Sequence, residues 1–251
     1  MIRYRKIALA TLAAPLALGL AACGDATDAA SGEIAEGEVV APVEAPEGTQ
    51  WVDQVVRTDA DGYMLGNPDA PIKLIEYGSL TCGACANFAM TGLESLKTEY
   101  INSGRVSFEL RNQIHNGLDL ILSRMVRCGA PESFHPLSDQ VWLNLQPLMQ
   151  GAQNNPQALD QAMSLPEDQR FVAAAQAAGF YDFFAARGVS VDQAQSCLAD
   201  FASVEQIAEN SRTQSDELNV TGTPTFIVNG VNVGTHNWAS LEPILQRAGA
   251  R

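Results

Sequence analysis

Two cysteines, Cys82 and Cys85, stand two residues apart within residues 78–88, GSLTCGACANF, where one kind of pattern gives way to another. Before them, residues 72–80 (IKLIEYGSL) form an apolar run rich in Ile, Leu and Tyr and bounded by turn residues, which reads as a buried strand. After them, Ala86, Met90, Leu93, Leu96 and Tyr100 recur at helical spacing over residues 83–101. Residues 104–112 (GRVSFELRN) then alternate Val106, Phe108 and Leu110 in strand fashion. Strand, helix and strand in this order make a right-handed crossover with two parallel strands. The cysteine pair therefore belongs to a strand-to-helix turn.

That position has chemical consequences. The first N–H groups of a helix have no intrahelical acceptor, and with the positive end of the helix dipole they favour a thiolate over a thiol. Cys82, at the mouth of the helix, is the natural nucleophile. Cys85, one turn on, is close enough to bridge to it and less exposed. A substrate thiolate that attacks such a disulfide at Cys82 forms a mixed disulfide, which a second thiolate resolves. Glu76 lies six residues before Cys82 on the incoming strand; it reads either as a buried acid that moves a proton for Cys85 or as a solvated glutamate on a strand face. Thr223-Pro224 precedes another apolar strand, and the proline reads as a strand opener or as a cis residue in a tight turn.

The rest of the chain is organised around this unit. Residues 113–219 are helical in pattern and broken by Gly, Pro and Asn clusters, which predicts an inserted block of four to six helices. Residues 222–235 (GTPTFIVNGVNVGT) return to strand, with Asn229-Gly230 as a hairpin turn, and residues 237–249 close as an amphipathic helix. The fold class is α/β, with one core divided between residues 51–112 and 220–251 and an all-helical subdomain at 113–219.

The combination of EYGSLTCGACANF, an inserted helical block and VTGTPTFIVNG resembles the thioredoxin-fold disulfide oxidoreductases of the DsbA type, and GNPDAPIKLIEYGS resembles their leader segment. The resemblance covers residues 62–250. It implies Cys82 as exposed nucleophile, Cys85 as its buried partner, Glu76 as the buried acid, Pro224 as a cis-proline facing the cysteines and Thr223 as a residue whose backbone holds a substrate peptide. It implies a protein thiol-disulfide oxidoreductase needing no diffusible cofactor, with cysteine-containing exported proteins as substrates and a membrane redox partner that recycles the pair. An oxidant in disulfide formation is the first reading, and a reductase or isomerase the alternative. DsbA proteins carry Pro-His between the cysteines, whereas this chain carries Gly83-Ala84. Without that imidazole, the Cys82 thiol is expected nearer the ~7 of thioredoxin than the ~3.5 of DsbA.

The N-terminus addresses the chain. Arg3, Arg5 and Lys6 precede an apolar run from Ile7 to Ala22 that contains Pro15 and Gly19. The run falls short of the ~20 apolar residues that span a bilayer, and it has the layout of an export signal. Leu20-Ala21-Ala22-Cys23 resembles a lipobox, so residues 1–22 are expected as a cleaved signal and Cys23 as the lipidated anchor. Residues 23–50 carry seven acidic and no basic residues, which predicts a disordered tether. Loss of the signal removes three basic residues and no acidic one, taking the formal charge from −14 to −17. Such a surface excludes nucleic acid as a partner.

With Cys23 given to lipid, four cysteines remain, an even number in an oxidising compartment. Cys128 and Cys197 read as a structural disulfide or as two buried thiols. No metal site is expected: the two are far apart in sequence and His115, His135 and His236 lack ligand spacing. A different class of function is a metal-binding or chaperone lipoprotein with no redox activity, which copurified metal on the reduced protein would reveal. No separate dimerisation segment is recognised, and a monomer is expected.

Overall fold

The computed structural model describes residues 30–251. The export signal and Cys23 lie outside the described residues. The sheet has seven strands: β1 (Ala30–Ser31), β2 (Val55–Arg57), β3 (Tyr63–Leu65), β4 (Ile72–Gly78), β5 (Val106–Asn112), β6 (Thr225–Val228) and β7 (Val231–Gly234). Their order is β1-β7-β6-β4-β5-β3-β2. β4 and β5 run parallel from Ile72↔Val106 to Gly78↔Asn112, as the crossover demands. β6 joins the other side of β4 antiparallel, with Glu76 opposite Phe226, and turns back into β7 through Asn229 and Gly230, both at positive φ. β4 is therefore central and covered on both sides, which is why its run is apolar almost throughout.

The crossover helix is broken. α1 (Gly83–Thr91) ends at Gly92, α2 (Leu93–Ser95) is one turn, and residues Leu96–Ile101 continue as a π-helix. Leu93, Leu96 and Tyr100 are buried as their spacing predicts, but Met90 is 59% exposed. Glycine at 92 lets the Trp238 side chain pack against the backbone at the break, since a Cβ there would come within 2.5 Å of it.

Between residues 113 and 219 there are eight helices rather than four to six: α3 (Gly117–Met125), α4 (Phe134–Leu143), α5 (Leu145–Gln153), α6 (Pro156–Met163), α7 (Glu167–Ala177), α8 (Phe180–Ala185), α9 (Val191–Ala199) and α10 (Phe201–Leu218). The added divisions fall at Asn144, between α4 and α5, and at Asp200, between α9 and α10, and Gly179 adopts a left-handed conformation between α7 and α8. The chain closes with α11 (Trp238–Arg247). One core spans sheet and insertion, with Phe88, Phe108, Phe134, Phe180, Phe184 and Phe226 all wholly buried within it.

The acidic segment departs from the expected disordered tether. From residue 30 it lies along the domain: β1 pairs parallel with β7, Gly37 N–H donates to Arg247 O, Val40 N–H to Gly249 O and Val43 N–H to Ser103 O. Glu33 pairs with Arg247 at 2.9 Å and Glu36 with Arg251 at 3.1 Å. Basic residues at the C-terminal end thus give the acidic run partners that its own composition lacks.

Candidate active site

Residues 79–82 form the turn from β4 into α1, and Cys82 is the N-cap of α1 with an extended backbone. Its sulfur accepts the Cys85 N–H at 3.3 Å and lies 3.4 Å from the Thr223 carbonyl oxygen. Both cysteines are unbridged in this structure; Cys82 is partly exposed and Cys85 is buried. The Cys82 thiol is pulled down to about 5: a hydrogen bond from the Cys85 thiol contributes most, opposed by burial and aided by the Thr223 side chain and the N–H groups of Cys85 and Ala84. This lies below the thioredoxin-like value expected from the Gly83-Ala84 dipeptide. The Cys85 thiol first, with smaller help from Thr223 and the N–H groups at the helix mouth, does what no imidazole is there to do. Cys85 moves the opposite way, pushed far up by burial first, then by its bond to Cys82 and the charge of Glu76.

Glu76 sits beneath them. It is 0% exposed and neither carboxylate oxygen has a hydrogen-bond partner. Burial raises its pKa well above the usual carboxylate range, with Asp139 and Cys82 adding to the effect. The open choice between buried and solvated is settled by β4 lying inside the sheet. A Cβ on Gly78 would lie 3.1 Å from Glu76 Oε1, 3.0 Å from Leu110 Cδ1 and 3.4 Å from the Trp142 ring, so glycine there makes room for the acid. The Thr223-Pro224 bond is cis and faces the cysteines through Thr223.

Other members of the site were not legible in the sequence. Asp119 on α3 is 0% exposed and its carboxylate takes the Ser79 hydroxyl at 2.6 Å, Leu80 N–H at 2.9 Å and His115 N–H at 2.9 Å. Asn116 followed by Asp119 resembles a capping pair, and Asn116 does accept the Asp119 N–H at 3.0 Å. The pattern does not disclose that the acid reaches 40 residues back to hold the redox turn. Trp142 donates from Nε1 to Ser79 O at 2.9 Å and so braces the turn from α4. Asp139, also on α4, is paired with Lys97 at 2.6 Å, and burial raises its pKa.

His115 is exposed, with Nε2 3.3 Å from Thr223 Oγ1. His135 is buried in the core, bonded to Tyr63 O at 3.0 Å and held neutral, down to about 3, by burial. Cys128 and Cys197 are joined, S–S 2.05 Å, between the end of α3 and α9. Among the described residues no group of three or more His, Cys, Asp or Glu is placed to hold a metal. Beside Gly83 runs a groove of about 380 Å³ in which Met90 and Leu143, 59% and 55% exposed, flank Ala86 and Trp142.

The arrangement of a cysteine pair at a helix mouth, a cis-proline opposite and a buried acid below has relatives. Residues 58–247 match the family model described as thioredoxin. The chain belongs to the thioredoxin family. Within this family it is similar to a protein from Rickettsia bellii named "Putative protein-disulfide oxidoreductase", 25% identical over 76% of this chain and 66% of that one. A related protein from Rickettsia conorii is 22% identical, and the match covers 62% of its length. The chain thus spans less than two thirds of the length of these curated relatives. Among solved structures, a protein-disulfide isomerase from Novosphingobium aromaticivorans superposes with a TM-score of 0.68 at 31% identity, covering 74% of this chain and 96% of that one. Wolbachia pipientis alpha-DsbA1 superposes with a TM-score of 0.60 at 19% identity, covering 75% and 91%. The fold is therefore the DsbA-like form of the thioredoxin fold, with its inserted helical domain.

Proposed function

We propose that this chain is a protein thiol-disulfide oxidoreductase that oxidises cysteine pairs in exported proteins. The observation that carries the reading is the Cys82 sulfur: partly exposed, capped by helix N–H groups and depressed to about 5, above a Cys85 thiol that burial keeps protonated. A stabilised thiolate favours the reduced pair, and a pair that prefers to be reduced oxidises its partners. Cys82 is the nucleophile and leaving group. Cys85 closes the disulfide, Glu76 exchanges the proton that Cys85 takes or gives, and Thr223 with Pro224 presents backbone to the substrate chain. The apolar groove beside Gly83 supports a polypeptide as substrate. The names of the related proteins support the same chemistry. The sequence supports export and lipid anchoring at Cys23 in the cell envelope, with a membrane partner that reoxidises the pair. Among the described residues no helix is long and apolar enough to cross a membrane.

The test is the reduction potential of Cys82-Cys85 against glutathione, with Cys82→Ser as the control for assignment. A value on the oxidising side, toward about −120 mV, supports a disulfide donor; a value toward about −270 mV makes the chain a reductant and overturns the first reading. The isomerase reading is favoured by the 31% identical relative of that name. It is tested by reactivation of a scrambled disulfide substrate, which an oxidant alone does not accelerate.

A further inference from the structure

His115 carries an imidazole without a role in the chemistry described above; its backbone is tied to the redox turn, and its ring touches Thr223. The His115 backbone N–H donates to Asp119 Oδ2 at 2.9 Å, and that same carboxylate holds Ser79 and Leu80 of the redox turn. Its neighbour Asn116 donates from Nδ2 to Thr81 Oγ1 at 3.2 Å, a second tie to the backbone that delivers Cys82. The His115 ring Nε2 lies 3.3 Å from Thr223 Oγ1, while the Thr223 carbonyl oxygen is 3.4 Å from Cys82 Sγ. His115 and Asn116 are exposed, so the ring stands on the surface where a polypeptide reaching Cys82 and Thr223 arrives. The ionisable groups tied to it are Asp119, on α3, and beyond Thr223 the N-cap Cys82 of α1; residues 222–225 bring no charge.

We propose that His115 is a catalytic residue of the exchange: its imidazole takes the proton of the incoming substrate thiol. The inference rests on the oxidoreductase reading. The substrate S–H gives its proton to the ring, and the resulting thiolate forms an S–S bond to Cys82 Sγ. The Cys82-Cys85 bond breaks, and Cys85 leaves with the electron pair and takes a proton from Glu76. His115 passes the first proton to solvent, Glu76 takes one back, and the second substrate thiol gives its proton to the freed ring and attacks the substrate sulfur of the mixed disulfide. Cys82 departs as thiolate, the substrate leaves oxidised, and the pair is left reduced. A neutral imidazole is suited to this because its free ring nitrogen accepts a proton within hydrogen-bond reach. The gain has a ceiling: an ordinary cysteine thiol is already about 3% thiolate at pH 7, so a base can accelerate its attack by at most about thirtyfold.

The experiment is single-turnover reaction of the oxidised protein with two nucleophiles, a dicysteine peptide and an aromatic thiol that is largely thiolate at neutral pH. His115→Ala and His115→Gln are compared with the unaltered protein from pH 6 to 9. Glutamine can keep the bond to Thr223 but cannot accept the proton. Both variants are expected to lose about tenfold with the peptide at pH 7, to approach parity by pH 9, and to lose less than about twofold with the aromatic thiol. Equal losses with both nucleophiles, or an unaltered rate in His115→Gln, would show that the ring only positions Thr223 and would overturn the proposal. If the unaltered protein reacts with neither thiol, the oxidoreductase reading fails and this inference fails with it.

Discussion

At Glu76 an acid is buried with no bond to either oxygen, so the folded protein keeps it protonated where the unfolded chain has ionised it. The native state then binds more protons than the unfolded state above a pH of ~4.3, and stability falls as pH rises through that window. Glu76→Leu is expected to raise the unfolding free energy by about 1–3 kcal/mol at pH 8, and by less at pH 4. It should also slow the step in which Cys85 leaves. Urea unfolding of the oxidised protein at both pH values reads the first effect; a gain of the same size at both would mean that ionisation plays no part. Cys82 carries the opposite sign. Its folded value of about 5 lies below the ~8.5 of a free thiol, so its contribution is present above the unfolded value and is lost as pH falls toward 5. Thiolate absorbance of the reduced protein should titrate with a midpoint near 5 and vanish in Cys82→Ser. A midpoint near 7 would return the chain to the thioredoxin-like value that its dipeptide suggests.

Among the elements, the readable ones are those whose neighbours in sequence are also their neighbours in space. β4, α1 and β5 follow one another, and the hairpin at Asn229-Gly230 is a local turn; pattern alone gives their existence and order. β2 and β3 are three residues each and have too few alternations to register as strands, although they extend the sheet beyond β5. The same limit applies to the site. Cys82, Cys85 and Pro224 lie in local motifs, whereas Asp119, Trp142 and His115 reach the redox turn or Thr223 from 40, 63 and 108 residues away. Pairings of that kind leave no periodicity. The Cys128-Cys197 bridge is intermediate, since parity suggests it but only the packing of α9 against the end of α3 brings the sulfurs together. Arg124 Nε donates to Cys197 O at 3.0 Å and Gln193 Nε2 to Cys128 O at 2.6 Å, so the contact has support beyond the bond itself. Replacing both cysteines with serine is expected to cost at most about 4 kcal/mol of stability by the chain-entropy relation for a separation of 69. The exchange rate at Cys82 should persist under conditions where the protein remains folded. Loss of exchange in a variant that still unfolds cooperatively would mean that the bridge has a redox role.

Over the whole molecule, the N-terminal strap closes what would otherwise be an open margin. β7 has β6 on one side, and on the other it meets only the two residues of β1. Further along, the strap lies against the C-terminal residues, and a Cβ on Gly37 or Gly249 would come within 2.4 or 2.3 Å of backbone oxygen across the contact. Val43 O accepts Trp51 Nε1 at 2.7 Å, which fastens the strap where the strand pair β2-β3 begins. A chain cut to residues 51–251 loses these bonds together with the Glu33-Arg247 and Glu36-Arg251 pairs. Each hydrogen bond contributes roughly 0.5–1.5 kcal/mol net, so the cut chain is expected to unfold at a lower denaturant midpoint. The exposed margin of β7 should also promote self-association. Denaturant unfolding and sedimentation of the 30–251 and 51–251 chains check both effects. Equal midpoints and equal mass would mean that the acidic segment rests on the domain without stabilising it.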